Sequence, residues 1–157
     1  MANNTTNRIN PSTKASRFLI GSMYTRSYNC LLAIEIGEIQ ASILNQVQYW
    51  VEVNRSNGKH YHDGTYWMYN SLSNWKKEFP NYSERSIQRA IKSLEKDGYI
   101  LIGNFNRMSW DNTKWYTVNE GKIESVMNDL LQKHDTTYRQ NDVGVSSEIR
   151  RATVRMT

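Results

Sequence analysis

Arg85, Arg89, Lys92 and Lys96 are spaced four, three and four residues apart within SERSIQRAIKSLEKD, residues 83–97. At the helical period this puts all four on one side, with Gln88 and Ser93 at its margins. Forked guanidinium donors on such a face suit an acceptor-rich polyanion. Arg matches guanine O6 and N7 through two bonds, and Gln matches adenine in the same bidentate way. Ser86 adds a short polar group for phosphate contact, and Lys96, nearest the carboxyl end, is expected on a phosphate. A solvated outer face explains the same stripe when the helix is taken alone, so its neighbours decide.

Several elements must hold that stripe in place. Ile87, Ala90, Ile91 and Leu94 form the opposite, apolar side, Ser83 is a natural N-cap and Gly98 a natural stop. Upstream, Ser71 is expected to cap a short helix, SLSNWKKEF. There Leu72, Trp75 and Phe79 face inward, while Lys76 and Lys77 face solvent or a phosphate. FPNYS is the turn between the two helices. Downstream, YILIGNF and KWYTVN read as strands separated by NRMSWDNT, a hairpin that TYWMYN at 65–70 would complete as a third strand. Two short helices, a tight turn and a following hairpin predict an α+β fold of the winged helix-turn-helix kind. Arg107 and Lys114 lie at or beside the hairpin tip, where they would probe phosphates or the minor groove. Trp110 is free to stack, to pack back or to join a protein contact.

The rest of the chain supports this centre. Residues 1–17 read as a flexible basic arm. From Met1 to Tyr28 there are four basic residues (Arg8, Lys14, Arg17, Arg26) and no acidic one. Such an arm tracks phosphates or merely solubilises. The apolar run from Phe18 to Met23 is expected to pack onto a domain spanning 18–133. LLAIEIG suits a short helix or strand. EIQASILNQVQYWVEV predicts a scaffold helix over 38–54, with Ile39, Ile43, Val47, Trp50 and Val51 on its apolar face and Tyr49 at the boundary. NRSNGKHYHDGT reads as an exposed loop. GKIESVMNDLLQK, 121–133, is a last helix that closes the core or pairs with a second copy. Residues 134–157 read as a mostly flexible polar tail.

Composition narrows the function classes. The 157 residues carry a formal net charge of +5, with 38% hydrophobic and 22% charged residues, which suits one basic domain with polar extensions. No apolar run reaches the roughly 18–20 residues of a bilayer span, so no membrane partner is expected. A single cysteine, Cys30, rules out an internal disulfide and agrees with a reducing cytosol. His60, His62 and Asp63 lack the second, separated ligand pair that a structural zinc site needs. No metal or cofactor is expected. No nucleophile, base and orienting group stand together, so no enzymatic activity is expected either. The abundant Tyr and Trp fall mostly at core-like spacings, which favours duplex over single-stranded nucleic acid.

From about Ile34 to Asn119 the chain resembles the winged-helix domain at the front of DnaD-like replication initiation proteins of low-GC Gram-positive bacteria, their phages and plasmids. The resemblance rests on ILNQVQYWV (43–51), on Trp-Met-Tyr followed by a helix at 67–79, on YSERSIQRAIKSLEKDGYI (82–100) and on TKWYTVN (113–119). NQVQYW and TKWY are its more discriminating motifs, since KxLExxGxI is shared by many bacterial transcription factors. The resemblance implies that Ser83, Arg85, Ser86 and Arg89 face DNA and that Lys114 belongs to the wing. Relatives often continue into a second helical domain. About 38 residues follow position 119 here, too few for that domain.

The expected function is therefore sequence-specific binding of double-stranded DNA in phage or plasmid replication initiation, at the nucleoid of the host cell. Ser83, Arg85, Ser86, Gln88, Arg89, Lys92, Lys96, Arg107 and Lys114 would make the contacts. A stand-alone transcriptional repressor or activator, acting as a twofold homodimer on paired half-sites, is the main alternative. A protein-directed inhibitor of a host replication or transcription factor is the third.

Overall fold

The computed structural model describes residues 14–19 and 24–141. Helix α1 covers Lys14–Leu19, so the chain is helical where the amino-terminal arm was expected to end. Most of that arm, and tail residues 142–157, lie outside the described residues. Phe18 and Leu19 are largely exposed and do not pack onto the domain, in contrast to the expectation for the apolar run at 18–23. Residues 20–23 of that run also lie outside the described residues.

Helices α2 (Cys30–Ile36) and α3 (Glu38–Ser56) meet at Gly37. Asn29 caps α2 by accepting from the Leu32 amide at 2.9 Å, so LLAIEI is helix rather than strand. Along α3, Ile43, Val47 and Val51 recur every four residues and are at most 2% exposed. Each such side chain contributes about 1.5–3 kcal/mol of apolar burial. Trp50 and Tyr49, assigned from periodicity to the core and its boundary, are instead both exposed. The buried stripe narrows to Val47 and Val51 at this end of α3, and the two rings pack edge-to-face on each other outside it.

Asn57 to Gly64 is more ordered than a loop. Strands β1 (Tyr61–His62) and β2 (Thr65–Tyr66) form a hairpin closed by Asp63 and Gly64, both with positive φ, 50° and 81°. That is the backbone of a type I′ turn, which an Asp-Gly pair favours. The single strand expected over 65–70 is therefore two: β2, then β3 (Met68–Asn70), with Trp67 buried between them.

Helix α4 (Leu72–Glu78) is capped by Ser71, which accepts from the Asn74 amide, and α5 (Glu84–Lys96) by Ser83, which accepts from the Ser86 amide. Trp75, Phe79, Ile87, Ala90, Ile91 and Leu94 are buried together, as the spacing required. At the end of α5 the Gly98 amide bonds to Glu95 and the Tyr99 amide to the Leu94 carbonyl. Gly98 takes φ 79°, and this paired closure satisfies two orphan carbonyls while packing Tyr99 beside Leu94.

Strands β4 (Ile100–Gly103) and β5 (Lys114–Val118) follow at once. The sheet is antiparallel in the order β3-β5-β4. Register pairs Met68 with Tyr116 on the face that packs on the helices, and Tyr69 with Trp115 on the other. Helix α6 (Glu120–Asn141) then runs beyond the predicted end near 133. It lays Ile123, Val126, Met127 and Leu130 against the core. The whole is a mixed α+β fold with two small open sheets. Among the described residues, no helix is long and apolar enough to cross a membrane.

Candidate nucleic-acid interface

Helix α5 presents its outer side to solvent for its full length. Arg85, Gln88, Arg89, Lys92 and Lys96 are all exposed, and among the described residues none of the four cations makes an ion pair. Arg55, away from this ridge, does pair, with Glu52 and Glu120. Four unpaired cations on one ridge cost Coulomb repulsion, which an anionic partner relieves. At the amino-terminal end, Ser83 is committed to the helix cap, and its hydroxyl lies 2.9 Å from that of Ser86. These two hydroxyls therefore act as a pair, and Ser83 is less free than its position suggests.

The turn that aims α5 is held by a side chain. Lys76 donates from Nζ to the carbonyls of Pro80 and Tyr82. The sequence placed Lys76 outward beside Lys77, facing solvent or a phosphate. Its ammonium is instead turned back onto the turn, where the Pro80 and Tyr82 carbonyls have no helical partner.

The hairpin loop, residues 104–113, folds toward α5 on one side. Gln88, Ile91, Lys92 and Glu95 face Trp110, Asn112 and Lys114 across a cleft of about 450 Å³ floored by Trp75 and Tyr116. Trp110 is 77% exposed there. Lys114 lines this cleft together with Gln88 and Lys92 of α5. Arg107 does not. It lines a separate cleft on the other side of the loop, with His60, His62, Tyr69, Phe105 and Trp115. The nine predicted residues therefore divide: eight lie on or beside α5, and Arg107 sits across the hairpin. Glu95 and Trp110 were not among those nine, although both line the α5 cleft.

The loop is rigidly pinned. Asn106 donates from Nδ2 to the carbonyls of Asp111 and Thr113, each at 2.7 Å, and accepts from the Trp115 indole at 2.7 Å. Thr113 donates to the Asp111 carboxylate from its hydroxyl and from its amide, and these bonds hold the carboxyl below the usual range.

Aromatic side chains from the 57–64 segment, from the strands and from the hairpin loop assemble on the outer face of the sheet. His62 stacks flat on Phe105 at 4.4 Å, and Trp115 meets His60, His62, Tyr69 and Phe105 within 5.6 Å. His60 adopts φ 61°, which turns its ring into this cluster. Burial lowers its pKa, helped by the neighbouring His62 and Lys59.

No family model matches the chain, and no curated protein or solved structure matches it significantly.

Proposed function

We propose that this chain is a winged helix-turn-helix protein that binds double-stranded DNA sequence-specifically. In this reading α4 and α5 form the helix-turn-helix, β4 and β5 the wing, and α5 enters the major groove. The observation that carries it is the exposed, unpaired ridge of Arg85, Arg89, Lys92 and Lys96 beside the hairpin. Arg85 and Arg89 supply bidentate donors to guanine, and Gln88 reads adenine. Lys96 and Lys114 hold phosphates. Glu95 supplies the carboxylate on the α5 side of the cleft, opposite Asp111 of the loop, suited to accepting from a cytosine N4 amine and repelling a phosphate placed there. A role in phage or plasmid replication initiation rests on the DnaD-like resemblance of residues 34–119.

Footprinting on the DNA flanking the chain's own gene, at two salt concentrations, tests the interface. Wild type should protect discrete sites, more weakly at the higher salt. The R85A/R89A/K92A variant should protect none. Equal protection by both proteins rejects the reading.

A stand-alone regulator would use the same ridge as a twofold dimer. Helix α6 favours this second reading: it leaves Leu131 exposed, and Ile123 and Met127 line an open apolar cleft of about 420 Å³ with Leu32 and Leu44. Protected half-sites one helical turn apart would select it.

A further inference from the structure

The ring cluster on the far side of the sheet has no part in the interface above. Trp115 sits at its centre, edge-on to His60, His62 and Phe105 and tilted against Tyr69, and its indole N–H is bound to Asn106. The Trp67 indole donates to the His62 carbonyl, which fixes the β1–β2 hairpin against the sheet. Gly103 is part of the same fit, since a Cβ there would fall 2.9 Å from Phe105 and 3.2 Å from Trp67. The floor is therefore set before anything binds. What it leaves open is also aromatic: Tyr61 is 58% exposed and Tyr69 53%.

These rings border a cleft of about 670 Å³ between the β1–β2 hairpin and the loop carrying Arg107 and Met108. Its rim carries charge of both signs, with Asp63 adjoining His62 in sequence. Arg107 lines it and Lys59 adjoins it in sequence between the lining residues Gly58 and His60, and neither makes an ion pair among the described residues. Its one lining carboxylate, Asp111, stays ionised under the Thr113 hydrogen bonds, so a phosphate must be seated at Arg107 and Lys59 rather than beside it. Exposed ring faces flanked by free cations match a chain of flat bases joined by phosphates. Such a platform takes any base, because every base has a π-face. A duplex hides those faces in its own stack, so the occupant must be unpaired.

The geometry points to a second nucleic-acid site: the cleft formed by His60, Tyr61, Tyr69, Phe105 and Arg107 binds an unpaired strand, its bases stacked on Tyr61 and Tyr69 and its phosphates held by Lys59 and Arg107. Tyr69 and Trp115 project from the sheet face opposite the one that packs on the helices. This site and the α5 ridge can thus be filled at once, as at a junction of duplex and melted strand. The inference is independent of the duplex reading and stands or falls without it.

Fluorescence anisotropy with labelled oligothymidylate and oligouridylate of about fifteen nucleotides tests it in the full chain. The two probes decide whether DNA, RNA or both are taken. Wild type should bind at least one of them, and an abasic strand of equal length much more weakly. Tyr61→Leu with Tyr69→Leu keeps apolar bulk over Trp115 while removing the stacking faces, and should weaken binding at least about tenfold. R107A should lessen the salt dependence, while R85A/R89A should leave this affinity within about twofold. Thermal melting certifies each variant as folded, and Y61L alone serves if the double variant is not. No binding of either oligonucleotide, equal binding of the abasic strand, or an unchanged affinity in the folded leucine variant overturns the proposal.

Discussion

The ammonium of Lys76, in the last turn of α4, donates to the Tyr82 carbonyl at 2.6 Å, directly before the residue that caps α5. A second bond reaches Pro80 at 2.9 Å. One side chain thus closes the interhelical turn and sets where α5 begins. Replacing Lys76 with Met keeps the stem and removes both bonds, leaving two turn carbonyls to water. Charge-assisted bonds of this kind are worth about 1.5–3 kcal/mol. K76M should therefore lower the urea midpoint by a corresponding amount with an unchanged slope. K76R should recover part of the loss. A K76M midpoint equal to wild type would show that the turn closes without this side chain.

Asn106 plays the matching part in the hairpin loop, with all three of its bonds at 2.7 Å. N106A removes no charge from the surface, yet it frees the Asp111 and Thr113 carbonyls and leaves the buried Trp115 indole without its partner. Amide exchange across 104–113 should rise clearly while α3 and α5 keep their protection. If the loop must be held to meet DNA, duplex affinity should fall as well. Unchanged exchange in the loop would place its rigidity elsewhere.

Trp110 offers a direct optical readout. Trp67, Trp75 and Trp115 are buried, whereas Trp110 is almost bare beside Lys92 and Gln88. Docking of a duplex on α5 should quench or shift a fraction of the indole emission. W110F should remove that change and leave folding intact, since the ring contributes little burial. Persistence of the full signal in W110F would mean that DNA does not cover this cleft.

The elements with strong period and clear caps were legible in the sequence. Ser71, Ser83 and Gly98 bound α4 and α5 where expected, because capping depends on the residue itself and its immediate neighbours. The exposed ridge followed from the same spacing. Features set by long-range packing were not legible. Trp50 lies near the buried stripe of α3 but outside it, and only the packing against Val47 and Val51 shows that. The β1–β2 hairpin has strands of two residues, too short for alternation to register, although its Asp-Gly turn was a usable signal. Arg107 and Lys114 part company because a ten-residue loop carries them to opposite sides of the hairpin, which spacing alone does not encode. The ring cluster joins residues near 60, 69, 105 and 115, and no local pattern connects those positions. The α6 helix passes Lys133 without an apolar reason, so hydrophobic periodicity stopped short of its end.

Under the duplex-binding proposal, Gln88 reads a base and Lys96 anchors a phosphate on the same helix. Gln88 sits at the margin facing the hairpin cleft, and Lys96 lies at the carboxyl end of the ridge. Q88A should relax preference at one base pair by about 1–3 kcal/mol and leave the salt slope unchanged. K96A should weaken all sequences alike and reduce that slope by about one. Titrations of matched and mismatched duplexes at several salt concentrations resolve the two effects. A uniform loss in both variants would assign Gln88 to the backbone and move sequence reading to Arg85 and Arg89.

His60 makes the protein's stability depend on pH in a defined direction. Its pKa is lowered by burial first, then by His62 and Lys59, so the native state favours the neutral ring. Between the ordinary value of 6.5 and the lower folded value, the unfolded chain binds more protons than the native one. Stability is therefore fully present above 6.5 and is lost as pH falls through the folded pKa. Asn tolerates the left-handed backbone that His60 adopts at φ 61° and does not titrate, so H60N tests this site without backbone strain. Wild type should lose melting temperature on acidification from pH 7 more steeply than H60N, with the two curves running parallel above pH 7. Parallel curves throughout would mean that the His60 ring takes up its proton as readily in the folded cluster as in water.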